Sequence, residues 1–364
     1  MNFAGVLDRL GRKAAITFGA SLLLTVLSAL LQFSGANSVL RFSVSALALA
    51  ALAALVGEAT DQLGHRLGPG ATGVLQSALG NLPELFISIF ALRAGLIVVV
   101  QAALVGSILA NSLLVLGIAF LAGGLKNGVQ KFGTTQTRMI SVLLVLSVAS
   151  LAIPALATSN GAPDAGHAED LSVLVAVALL VIFIASIPFS LKGGPGASAE
   201  SSDADNTWPM SLTLVTLVGA ASGAAFVSDW FVEALKPAMA TLGLSEAFVG
   251  LVIVAIAGNA VENVVGVQMA LRNKADLAIS LILNSSLQVA LALFPALVII
   301  SQFMVGAHLT LVLSPLLIGS LALTVLLGAF IVYDGESTWL EGLALIGLYV
   351  IIAGAFWWGP AIVP

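Results

Sequence analysis

Polar residues break this chain into a series of long apolar runs. Cutting at polar clusters, charges and Gly/Pro punctuation leaves eleven, near 14–33, 39–60, 71–92, 96–122, 138–157, 171–191, 209–235, 246–271, 275–301, 309–332 and 338–359. A helix crosses the hydrocarbon core in about 20 residues, whereas a barrel strand needs only about ten alternating ones. The pattern therefore predicts an all-α polytopic membrane protein with about eleven transmembrane helices. The first run follows Asp8, Arg9, Arg12 and Lys13. It is long for the apolar region of a signal peptide and reads as a first transmembrane helix.

Composition sharpens this picture. Of 364 residues, 59% are hydrophobic and 9% charged, against about 25% charged in soluble domains. A net charge of −5 leaves no basis for a nucleic-acid partner. The absence of cysteine excludes disulfides, thiolate metal sites and cysteine nucleophiles. Charge also orients the spans. With a cytoplasmic N-terminus, Arg41, Arg93 and Lys236 fall outside and the other ten of the 13 basic residues fall inside. An integral, multi-pass protein with N-in, C-out topology and an odd number of spans follows, and the compact length points to a prokaryotic inner membrane, with a vacuolar-type membrane as the alternative.

The longest polar interruption, 192–208, contains Gly193, Gly194, Pro195, Gly196, Glu200, Asp203 and Asp205. Its composition is that of a flexible acidic linker in the cytoplasm; the alternative is a cation-sensing segment. It separates two sets of five spans, 37–191 and 209–364, behind an N-terminal segment and first helix at 1–36. Five is odd, so a second copy of a five-helix unit runs inverted across the membrane, an arrangement typical of transporters.

Carboxylates inside spans are costly and therefore informative. Glu84 and Glu262 lie deep in the third and eighth runs and share a frame, Gly80-Asn81-Leu82-Pro83-Glu84 and Gly258-Asn259-Ala260-Val261-Glu262. Asn and Glu three apart share a helix face. Pro83 has no N–H to donate to the Leu79 carbonyl, which leaves that oxygen open to an ion. Ser107 and Ser285 each follow their glutamate by 23 residues. Asp61 and Asp229 lie in the span before each motif, with Glu58 close to Asp61; a helix cap is the plain alternative for the two aspartates.

Carboxylate, amide, hydroxyl and carbonyl oxygens are hard ligands that suit Ca2+. The three histidines (His65, His167, His308) fall in predicted loops, so soft-metal chemistry has no ligands in the spans. Burial disfavours a charged carboxylate with no cation beside it, so cation and proton compete for the same oxygens. That competition is a minimal antiport mechanism.

The same strings are similar to the two signatures of the calcium/proton exchanger (CAX) family within the cation/Ca2+ exchanger superfamily. The first runs from Ala59-Thr60-Asp61 through Gly80–Glu84 to Gly106-Ser107-Ile108-Leu109-Ala110-Asn111. The second includes Ser228-Asp229-Trp230, Ser245-Glu246-Ala247-Phe248, Gly258–Glu262, Asn273–Leu277 and Ser285-Ser286-Leu287-Gln288. The resemblance implies a Ca2+/H+ antiporter working by alternating access, with Ca2+ as substrate rather than cofactor. It implies Glu84 and Glu262 as central Ca2+ ligands beside Asn81, Asn259 and Leu79. Ser107, Ser285 and Gln288 line the site, while Asp61, Asp229, Glu58 and Glu246 serve cation entry or proton relay. The chain departs from the family at Asn263, where His is common, at Asp229, where Glu is usual, and at Gln76 and Asn284. A relay role belonging to that histidine has no counterpart here.

Two rivals share the fold: Na+/Ca2+ exchange, and Na+ or K+ exchange for protons. The sodium-coupled branch usually carries Thr-Ser before its glutamates, where this chain has Gly-Asn. A polytopic membrane enzyme is disfavoured, because the spans hold no HExxH and no predicted intramembrane histidine to serve as a base.

Overall fold

A computed structural model describes residues 3–67, 79–158, 165–193, 208–306 and 308–358. Apolar runs in a bilayer must satisfy their backbone groups internally, and here they do so as helices. In chain order these are α1 (Phe3–Phe33), α2 (Ser38–Leu67), α3 (Leu82–Arg93), α4 (Ile97–Asn127), α5 (Thr134–Ala157), α6 (Ala168–Gly193), α7 (Met210–Leu242), α8 (Glu246–Gly258), α9 (Ala260–Leu271), α10 (Ala275–Ser301), α11 (Pro315–Ile331) and α12 (Trp339–Trp357). Eight of the described helices (α1, α2, α4, α5, α6, α7, α10 and α12) have segments long and apolar enough to cross a membrane; α8 and α11 are shorter apolar helices. The protein is a nearly all-helical, multi-pass membrane protein. Its sheet content among the described residues is one antiparallel pair, β1 (Gln130–Lys131) with β2 (Glu336–Ser337).

The chain forms two compact units, and both draw on both halves of the sequence. The first comprises Met1–Phe90, Ile187–Gly243 and Ala257–Val261; the second comprises Ala91–Ser186, Leu244–Ile256 and Glu262–Pro364.

In the first unit α2 packs along both α1 and α7. Phe42 stacks on Phe231 with ring centroids 5.0 Å apart, and buried Ser28 and Ser45 share a 2.8 Å hydrogen bond. At one end Gln32 donates to Glu233 (2.6 Å) and Arg41 pairs with Glu233 (3.4 Å). Trp208, read above as the end of a solvated linker, is only 2% exposed. Its N–H donates to Gln62 Oε1 at 2.9 Å and its carbonyl accepts from Arg66, which fixes it to α2. The linker residues Gly194, Pro195, Gly196, Glu200, Asp203 and Asp205 lie outside the described residues, as does Gln76.

The second unit is built around α4 and α10. Hydrophobic residues surround α4 on every side, which is the pattern of a helix enclosed by others, and its whole stretch Val99–Leu109 is buried. It crosses α8 backbone to backbone. A Cβ on Gly106 would collide with the Leu251 main chain, and one on Gly250 would lie 2.5 Å from the Val99 carbonyl. Such approach requires glycine on both sides.

The repeat read from the motifs is also present in the backbone. Glu84 and Glu262 are 178 positions apart. The same offset relates both ends of α3 to those of α9, and the start of α4 to that of α10. It also relates the ends of two π-helical stretches, Ala110–Val115 in α4 and Val289–Leu293 in α10. The turns between the paired helices match bond for bond. Leu96 N–H donates to the Ala91 carbonyl and Gly95 N–H to Leu92; Lys274 N–H donates to Met269 and Asn273 N–H to Ala270. Gly95 has φ 74° and Asn273 has φ 59°, so both helices close on a left-handed residue.

Three sequence expectations need correction. His65 lies within α2, not in a loop. Asp61 and Asp229 stand inside α2 and α7, so neither caps a helix. The run 309–332 is not helical from its start: α11 begins at Pro315, with Ser314 accepting a hydrogen bond from the Leu317 N–H. Proline at the first helical position pushes the residue before it out of the helical region. The preceding residues 308–314 are non-helical, with Leu309, Leu311 and Leu313 buried. Their main chain is satisfied by side chains. Ser301 accepts from Leu309 N–H, Ser172 accepts from Leu311 N–H, and Gln101 Nε2 donates to the Thr310 carbonyl at 2.9 Å.

Candidate cation-binding site

The two motifs place their glutamates at the same local position. A turn lies at Gly80-Asn81 and another at Asn259, and after each a helix begins with Glu84 or Glu262 as its third residue. A carboxylate there is favoured by the N-terminal end of the helix dipole. Pro83 is tolerated because the first-turn N–H groups have no partner within the helix. The Leu85 N–H donates to the Asn81 carbonyl at 3.0 Å, which starts the new helix.

The first unit joins parts of both motifs. Glu84 is 5% exposed, Asn81 7% and Asn259 0%. The Glu84 carboxylate lies against the bare backbone of Gly258: a Cβ there would fall 2.7 Å from Oε1 and 2.9 Å from Cδ. The glutamate of the first motif thus packs on the glycine of the second. Leu79, half-buried, is the last helical residue before the Gly80-Asn81 turn. The side chain of Glu262 lies outside what is described.

The second unit holds the predicted hydroxyl and amide ligands. Ser107, Ser285 and Gln288 are all buried on α4 and α10. Asn111 Nδ2 donates to Ser285 Oγ at 3.0 Å, and the Ser112 and Ser286 hydroxyls are hydrogen-bonded at 3.0 Å. These contacts were not assigned from the sequence. Their signal was a short polar string, Asn111-Ser112, inside an otherwise apolar helix. Both residues fall in the π-helical stretch of α4, and such irregular turns concentrate at functional sites.

The outer acidic residues are more accessible. Glu58 is half-buried and Asp61 exposed, three apart on α2; Asp229 is exposed on α7. Ser228, beside Asp229 in sequence, is fully buried, and its hydroxyl has no partner among the described residues. Glu246, half-buried, sits in the first turn of α8 behind Ser245, whose hydroxyl accepts from the Phe248 N–H. Among the described residues no three His, Asp or Glu side chains cluster as a metal cage. The first unit offers buried carboxylate and amide oxygens, and the second offers buried hydroxyl and amide oxygens.

Comparison with known proteins identifies the family. A family model described as sodium/calcium exchanger protein matches residues 37–192 and 212–358. The chain belongs to the sodium/calcium exchanger family. Within it, the calcium/proton exchanger group is the one its motifs match. A Ca(2+)/H(+) antiporter of Aphanothece halophytica is 33% identical over 96% of this chain and 98% of its own length. The Ca(2+)/H(+) antiporter ChaA of Bacillus subtilis is 33% identical over 94% and 97%. The solved structure of native YfkE superposes with a TM-score of 0.79 at 32% identity, covering 94% of this chain and 99% of that one. The family is one of transporters.

Proposed function

We propose that this exchanger-family protein is a Ca2+/H+ antiporter, with Glu84 and Glu262 as the carboxylates that take Ca2+ or protons in turn. The observation that carries this reading is the buried Glu84 carboxylate seated on Gly258, which couples one motif to the other. Relatives spanning nearly its whole length are Ca(2+)/H(+) antiporters. The second glutamate is likewise the third residue of its helix.

In this reading Asn81, Asn259 and the Leu79 carbonyl complete the shell near the carboxylates, and Ser107, Ser285 and Gln288 supply oxygens from α4 and α10. Hard oxygens in a flexible set suit Ca2+. A buried carboxylate that loses its cation takes up a proton, because charge without a partner is costly in a low-dielectric site. The site then needs no separate proton carrier, and each turnover exchanges the two ions. Asp61, Asp229, Glu58 and Glu246, being more exposed, gather cations or relay protons. The two five-helix sets run inverted, the N-terminus is cytoplasmic, and the membrane is a prokaryotic inner membrane. No catalytic residue is assigned.

The test is radioactive calcium uptake into liposomes holding the purified protein. A pH gradient and an outward Na+ gradient drive parallel arms, with Glu84→Gln as the blank. Uptake under the pH gradient alone is expected. Uptake only under the Na+ gradient would make it a Na+/Ca2+ exchanger. No calcium movement in either arm would overturn the calcium assignment and turn the test to Na+ and K+.

A further inference from the structure

We propose that the groove between α5 and α11 binds an anionic phospholipid, with the phosphate on Arg138 and an acyl chain along the groove. The groove is a cavity of about 240 Å³ lined by Arg138, Ser141, Val142, Val145, Ala329 and Tyr333. Its walls are almost wholly apolar, and one charged group stands at its mouth. Around it Val142 is 55% exposed and Phe330 78% exposed, so the groove opens onto the lipid-facing surface of the second unit.

The charge is what selects the occupant. Arg138 is exposed and forms no ion pair among the described residues. The acidic residues of the neighbouring loops are engaged elsewhere. Glu336 pairs with Lys131 at 3.1 Å, Asp334 accepts from the Glu336 N–H, and Asp276 accepts from the Gly133 N–H. Further cations gather at the same end, because Gln130 donates to Asn273 and the Ala270 carbonyl and so draws in the loop that carries Arg272 and Lys274. A guanidinium binds phosphate oxygens two at a time. Tyr333 lines the same groove with its phenol, whereas the Ser141 hydroxyl donates to the Thr137 carbonyl at 2.9 Å. An apolar channel below and a cation above match a lipid with a phosphate headgroup, the pattern of basic pockets between transmembrane helices. A free phosphate would leave the channel unused.

Native mass spectrometry of the purified protein with equal amounts of phosphatidylglycerol and phosphatidylcholine tests this. The wild type should retain phosphatidylglycerol preferentially. Arg138→Gln should lower that retention about fivefold, the effect of one surface basic residue, with phosphatidylcholine retention and Tm unchanged. Arg138→Lys should keep most of the preference. Val142→Trp, which fills the groove, should lower retention of both lipids. Should Arg138→Gln unfold, Arg138→Lys against Val142→Trp carries the comparison. Equal retention in wild type and Arg138→Gln overturns the proposal. So does a rise in Tm with glycerol 1-phosphate equal to that with the lipid, because the acyl contacts then contribute nothing. A Tyr333→Cys cross-link between copies that persists in excess phosphatidylglycerol overturns it too, since a second copy then covers the groove.

Discussion

Glu84 and Gly258 are in contact across 174 residues of sequence: a Cβ at 258 would lie 2.7 Å from Glu84 Oε1. Gly258→Ala should therefore push the carboxylate aside without emptying the core. Overpacking of this kind costs about 1–3 kcal/mol, and the expected result is a loss of about tenfold or more in apparent Ca2+ affinity. Calcium-concentration curves in liposomes measure it. Gly19→Ala, where nothing lies within 4 Å, is the control and should transport like wild type.

Removing charge at the glutamates should separate folding from transport. Glu84→Gln and Glu262→Gln should abolish exchange while leaving folded protein in the membrane, as read by size-exclusion profile and uptake together. Normal uptake in either variant removes that glutamate from the mechanism. Asp61→Asn and Asp229→Asn should lower the rate or move its pH profile; wild-type behaviour in both would reduce them to surface residues.

Proton competition has a definite sign. Protonation removes the negative charge that holds Ca2+, so lowering pH on the loading side should weaken apparent Ca2+ affinity, and raising it should strengthen it. Saturating calcium should recover the same maximal rate. A calcium affinity that does not vary with pH would separate the proton from the calcium oxygens.

The turn at Asn273 offers a stability test. Asn273→Gly keeps the left-handed conformation and loses the 2.9 Å bond from Gln130. Asn273→Ala loses both and should be worse by about 1 kcal/mol, the cost of a left-handed alanine. Thermal unfolding of the two variants ranks them; equal stability would mean the turn is not strained.

Gln101→Leu should destabilise the second unit. It strips the Thr310 carbonyl of its 2.9 Å donor, and an unsatisfied buried group costs about 1–3 kcal/mol. A fall in Tm is the expected readout, and an unchanged Tm would mean water replaces the amide.

Much of this was legible in the sequence for a physical reason. Hydrocarbon forces helices, so apolar length alone located α4, α5, α7 and α10, and the cost of buried charge singled out Glu84. What escaped were features set by single backbone positions. Pro315 starts α11 six residues after the apolar run begins at 309, because hydropathy is blind to N–H groups. Trp208 looked like linker because its neighbours are polar, yet its backbone N–H and carbonyl are held on α2. The Ser112–Ser286 contact needed two helices in register, and no local pattern encodes that.

The π-helical stretches have a consequence for the seam between α4 and α10. A π turn departs from the regular winding of a helix and marks functional positions. Such stretches in α4 and α10 end at equivalent positions, Val115 and Leu293. Asn111 and Ser112 lie within the first, and their partners Ser285 and Ser286 lie just ahead of the second. The polar contact between these two helices therefore falls where the winding of both leaves the α pattern.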